Sequence, residues 1–128
     1  MNRTKKIAVA AVLLAAAVAG AQAPGIKRTV LQKADVTPER EVVMAQAEIS
    51  AGGETGRHTH PGVEVGYVLE GSTTVTVDGE EPRVYKAGDS YTIPYGKVHN
   101  AKNVSDKPAK VLANYIVEKG KPLASPAP

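Results

Sequence analysis

The chain has 128 residues, a formal net charge of +3 and no cysteine. The length suits one domain, and the missing thiols exclude disulfides, thiolate metal sites and cysteine nucleophiles. Arg3, Lys5 and Lys6 carry the excess charge; the remaining 13 of the 16 basic residues balance 13 acidic ones, so the body lacks the basic face of a nucleic-acid-binding domain.

Residues 1–6 are short and basic. Residues 7–20 form an uncharged apolar run, and Ala-x-Ala sites end at Ala21 and Ala23. This three-part order predicts a secretory signal peptide over residues 1–23, cut after Ala21 or Ala23. A membrane span needs about 20 apolar residues, so no membrane association is expected after cleavage. The mature chain is expected in a bacterial periplasm or outside the cell.

Residues 24–41 read as an N-terminal segment or an edge strand. Beyond them, short runs rich in Val, Ile, Thr and Tyr alternate with Gly, Pro and Asp turn signals. They predict strands over residues 42–49, 63–69, 73–77, 91–93, 98–104 and 110–117,. Asp78-Gly79 is a favoured two-residue hairpin pair. No helical stripe follows Pro24. The fold class is therefore all-β, a sandwich or barrel over residues 42–118, with residues 119–128 as an extended tail. The chain has no Phe and no Trp, so its core must come from aliphatic residues and five tyrosines.

The only three histidines are His58, His60 and His99. On a strand, His58 and His60 share a face, and Glu64 has the same parity. His99 follows the Pro94-Tyr95-Gly96 turn and arrives from a later strand. Three imidazoles and a carboxylate suit a divalent first-row metal. Without thiolates, the set resembles a site with open positions rather than a closed structural zinc site. An unperturbed imidazole titrates near 6.5, so metal affinity is expected to fall below about pH 6.

The spacing around these residues resembles the two motifs of the cupin superfamily. Gly52, five residues, His58-Thr59-His60, three residues, Glu64, six residues and Gly71 match the first. Gly88, five residues, Pro94-Tyr95-Gly96, two residues, His99, three residues and Asn103 match the second. The resemblance implies a jelly-roll barrel, or double-stranded β-helix. It implies a metal held by His58, His60, Glu64 and His99, Asn103 in a structural hydrogen-bonding role, and a homodimer. Iron, manganese, nickel, copper and zinc all fit such ligands.

The resemblance also suggests a metal-dependent dioxygenase of the quercetin-dioxygenase-like type, with decarboxylase or lyase chemistry as variants. The substrate would be a small organic molecule, and Glu64 the catalytic proton acceptor. A non-enzymatic module that binds a small molecule or the metal is the alternative. Around the site, one parity of the first strand (Met44, Gln46, Glu48 or Val43, Ala45, Ala47, Ile49) should line the interior. Tyr95 and Tyr115 are candidates for proton donation, substrate contact or core packing. Arg57, Lys97 and Lys102 are expected at the surface.

Overall fold

Strict alternation of small apolar residues builds two sheets that face each other. The computed structural model describes residues 25–128, in which ten strands and no helix occur. They are β1 (Ile26–Thr37), β2 (Arg40–Ile49), β3 (His58–Thr59), β4 (Gly62–Glu70), β5 (Ser72–Val77), β6 (Arg83–Lys86), β7 (Ser90–Ile93), β8 (His99–Lys102), β9 (Ala109–Glu118) and β10 (Ser125–Pro126). One sheet has the order β1-β2-β9-β4-β7 and the other β10-β3-β8-β5-β6. All pairings are antiparallel. This is the all-β jelly-roll architecture that the sequence predicts. The signal-peptide reading falls on residues outside those described.

On β2 the inner face is Val43, Ala45, Ala47 and Ile49, and on β9 it is Ala109, Val111, Ala113, Tyr115 and Val117. Opposite partners share a face, and the registers Val43↔Tyr115, Ala45↔Ala113 and Ala47↔Val111 join the two inner rows. Of the five tyrosines, Tyr115, Tyr85 and Tyr91 fill the space that phenylalanine would take elsewhere. Tyr67 and Tyr95 lie about half exposed.

Residues 26–37 extend the first sheet as its long edge strand, with irregularities at Leu31 and Val36. Two expectations need correction. Asp78-Gly79 does make a tight turn, closed by the Glu80 amide donating to the Val77 carbonyl at 2.9 Å, but the β5–β6 ladder begins only at Val75 and Arg83, so residues 78–82 form a longer connection than a two-residue hairpin. Pro82, which cannot donate to a ladder, lies just before β6,. The C-terminal tail does not run free of the barrel. Ser125 and Pro126 pair with Thr59 and His58, and the Ala127 amide donates to the Arg57 carbonyl.

Gly66 shows how close packing constrains the sequence. A Cβ there would lie 2.2 Å from the Tyr91 ring, so only glycine lets that ring lie flat across β4. Gly71 turns the chain between β4 and β5 with φ of +69°, a conformation that favours glycine.

Candidate metal centre

His58 and His99 come from two neighbouring strands of the second sheet, β3 and β8, and His60 is the residue just after β3. His58 pairs directly with His99, and His60 follows β3 with the same parity. All three are buried, at 7%, 3% and 2% exposure. Their rings meet edge to face or tilted, with centroids 4.2–5.0 Å apart. One ligand atom from each lies within 4.8 Å of the others.

Hydrogen bonding fixes which nitrogen faces inward. Nδ1 of His58 lies 2.7 Å from the Gly56 carbonyl oxygen, Nδ1 of His60 2.6 Å from that of Leu123, and Nδ1 of His99 2.9 Å from that of Lys97. A carbonyl can only accept, so each Nδ1 carries the proton and each Nε2 presents its lone pair. Nε2 of His60 and of His99 is buried with no hydrogen-bond partner. Three oriented rings with lone pairs directed into a shared interior space fit a metal ion. Backbone carbonyls supply the outer support that ligating histidines usually have.

Glu64 reaches the same space from β4 in the facing sheet. Oε1 lies 3.5 Å from His60 Nε2 and Oε2 3.9 Å from His99 Nε2. These separations are long for hydrogen bonds but close to the spacing of neighbouring ligand atoms on one ion. The Tyr115 and Tyr91 hydroxyls lie near the carboxylate and interact with it electrostatically. Burial opposes its ionisation, but positive charge on the His60 and His99 rings when they are protonated, with the nearby Tyr115 hydroxyl, outweighs burial and holds the carboxyl below its usual range.

Burial dominates the rings. It pushes His58 down to about 4, against a smaller opposing effect of the Gly56 carbonyl, and it lowers His99. The His58 and His99 rings therefore stay neutral, and able to hold a metal, at lower pH than a free imidazole.

Of the surrounding candidates, Tyr115 belongs to the centre. Its ring centroid lies 4.6 Å from that of His60, and it faces Glu64 across the β4–β9 ladder. Burial and the Glu64 charge raise its hydroxyl, which therefore stays protonated. Tyr95 does not belong: it is half exposed and donates to Glu118 Oε2 at 2.6 Å. Arg57 sits on the surface, paired with both carboxylate oxygens of Asp78 at 2.7 and 2.9 Å. Lys97 and Lys102 are exposed. Asn103 is fully buried and bonds the Ile49 and Lys107 carbonyls and the Ser105 amide and hydroxyl.

Two cavity residues escape the sequence reading. Tyr91 closes one side of the interior. Arg28 reaches in from β1; its cross-strand partner is Ala47, whose inward side fixes that of Arg28. The parity of β1 carries no apolar alternation that would mark Arg28 as inward. Arg28, His58, Glu64, Tyr91, His99 and Tyr115 border a cavity of about 20 Å³, room for little more than a water-sized body.

A family model described as a cupin domain matches residues 45–115. The chain belongs to the cupin family. Among curated proteins, this cupin is 37% identical over 79 residues to germin-like protein subfamily 2 member 1 of Arabidopsis thaliana, covering 58% of the chain but 36% of that protein. Among solved structures it superposes on an oxalate oxidase with a TM-score of 0.66 at 27% identity, covering 80% of the chain and 55% of that one. A DMSP lyase from Ruegeria pomeroyi shares the fold, with a TM-score of 0.68 at 19% identity over 80% of the chain and 51% of the lyase. The chain thus spans about a third to a half of the length of these relatives.

Proposed function

We propose that this cupin is a metal-dependent enzyme of the oxygenase type, akin to the quercetin-dioxygenase-like cupins, acting on a small organic molecule. The observation that carries the reading is the orientation of the three buried rings. Each Nδ1 is engaged by a carbonyl, and the Nε2 atoms point into a space shared with Glu64. His58, His60 and His99 would hold a divalent first-row metal, with Glu64 as a fourth ligand. Such an ion supplies Lewis-acid or redox chemistry at its open positions.

The chain's own groups provide the proton chemistry. Glu64 stays ionised at neutral pH and can accept a proton from a bound molecule. The nearby Tyr115 and Tyr91 hydroxyls do not compete as bases, since both resist ionisation. The aliphatic inner rows of β2 and β9 exclude water. In the same reading, residues 1–23 direct export to the periplasm or beyond, and the mature chain pairs as a homodimer.

The narrow cavity supports a second reading, a non-enzymatic module that holds the metal and one small ligand. Two measurements separate them. Elemental analysis of tag-free protein should find one first-row metal per chain. Oxygen uptake against flavonols, small diketones and carboxylic acids should then show turnover of at least one compound. A fully metallated protein that consumes none of them leaves the holding module. A chain that carries no metal overturns both readings.

A further inference from the structure

A second, larger hollow adjoins the metal centre. Among the described residues, β7 is the outer strand of the first sheet and β6 that of the second. Residues 87–89 join the two. Between them opens a space of about 370 Å³, walled by Val77, Arg83, Tyr85 and Ile93 together with Val75 and Tyr91. The cavity at the histidines holds only about 20 Å³. Small-molecule sites usually span about 300–1,000 Å³, so the outer hollow has room for an organic ligand and the inner one does not.

Val75 and Tyr91 border both spaces. They come from facing sheets, and Tyr91 packs against the apolar cluster of Val75, Val77 and Ile93. Together they form the wall between the hollow and the centre. Tyr91 is the part of this wall that can yield. Its strand is four residues long and, among the described residues, pairs on one side only, with β4. Its cross-strand partner is Gly66, so no side chain opposite holds the ring in place. Val75 is held more firmly, because β5 pairs on both sides, with β6 and with β8.

We propose that the hollow between β6 and β7 is the ligand vestibule of the metal centre, and that the Tyr91 ring is the partition a ligand displaces to reach it. The walls suit a small aromatic molecule with polar substituents. The Tyr85 and Tyr91 rings, with centroids 5.3 Å apart, offer apolar and edge-to-face contact, and the exposed Arg83 offers a polar contact at the rim. The inference rests on the metal reading proposed above.

The test uses cobalt(II)-loaded protein and 1,10-phenanthroline, a neutral aromatic chelator. Cobalt stoichiometry is measured first. The rate of cobalt extraction is then followed against phenanthroline concentration. The part that rises with concentration reports chelator entry, and the intercept reports spontaneous metal loss. Tyr91→Ala removes the partition and should speed entry at least about tenfold, with the intercept within about twofold of the wild type. Tyr91→Phe keeps the ring and removes only the hydroxyl near Glu64, so entry should stay within about twofold of the wild type. Arg83→Trp fills the hollow from an exposed position and should slow entry at least about threefold. It decides the matter alone if Tyr91→Ala does not fold. Entry at the wild-type rate in Arg83→Trp or in folded Tyr91→Ala overturns the proposal and leaves the metal reading intact. So does a Tyr91→Phe protein as fast as Tyr91→Ala, an effect confined to the intercept, or a rate independent of phenanthroline in every variant. A wild type that takes up no cobalt overturns both.

Discussion

Nδ1 of His60 lies 2.6 Å from the carbonyl oxygen of Leu123, 63 residues further along the chain. The other two rings are steadied by carbonyls only two residues away, Gly56 for His58 and Lys97 for His99. The orientation of His60 therefore depends on the C-terminal segment that follows β9, distant from it in the chain. That segment is held by β10 against β3, by the bond from Arg57 Nε to the Pro128 carbonyl at 2.7 Å, and by packing of Leu123 on Val43, Tyr115 and their neighbours.

Removal of residues 121–128 should therefore weaken metal binding through a part of the chain that has no ligand. Loss of such outer support usually costs about 10- to 100-fold in affinity, and that is the range expected in a zinc titration. Leu123→Ala keeps the carbonyl and loses only apolar contact. It should lower stability by about 1–2 kcal/mol with metal affinity unchanged. Equal zinc affinity in the truncated and complete chains would show that His60 needs no such support.

The metal-free protein should be labile to acid, and the sign follows from burial. The folded His58 ring resists a proton down to about pH 4, whereas an unfolded ring accepts one near its ordinary value of 6.5. Protons therefore favour the unfolded chain across that interval, and stability falls as pH falls from 6.5 to 4. His99 acts in the same direction. Glu64, held below its usual range, contributes stability at neutral pH that is lost as its carboxyl protonates below 4.5. For His58 alone the loss is about 3 kcal/mol. Urea unfolding at pH 7.5, 6, 5 and 4 with chelator present should show the midpoint dropping steadily below 6.5; a flat profile would contradict the burial argument.

Asn103 should prove structural. Its amide nitrogen donates to the Ile49 carbonyl at 3.0 Å and the Lys107 carbonyl at 2.6 Å, and its oxygen accepts from the Ser105 amide and hydroxyl. Asn103→Ala strands these buried groups, at a cost of about 1–3 kcal/mol each where water cannot reach them. We expect a loss of at least about 2 kcal/mol in urea unfolding, with one metal still bound per chain. Wild-type stability would mean that water replaces the amide without cost.

The parts of this cupin that follow a period were legible in the chain. Alternation along β2, β5 and β9 marked the strands, and the repeated spacing about His58, His60, Glu64 and His99 marked the residues that the fold gathers. What escaped has no periodic signal. β6 is four residues with one half-buried side chain, and β3 and β10 are two residues each, too short for alternation to register. Arg28 is an inward-facing cation on a strand that is otherwise mostly exposed. Only the cross-strand register with Ala47 reveals where it points. Tyr91 was read as strand but not as site, because its role depends on the missing side chain at Gly66 in a different strand.

Glu64 is where binding and catalysis can be told apart. Its carboxylate lies within 4 Å of two imidazole Nε2 atoms, with the Tyr115 and Tyr91 hydroxyls nearby. Glu64→Gln keeps the size and removes the charge. Metal affinity should fall at least about tenfold, since a buried cation loses its one anionic neighbour among the centre's residues. With metal saturating, the two roles diverge. If Glu64 accepts a proton in the reaction, an amide cannot replace it, and the rate should fall by about 10²–10⁴ with substrate still bound. His58→Ala should instead lose metal and activity together. The checks are a metal titration of each variant, then oxygen uptake with the compound that the wild type consumes. A metal-loaded Glu64→Gln protein that keeps the full rate would confine Glu64 to ligation and leave Tyr115 as the group in the centre placed to move a proton.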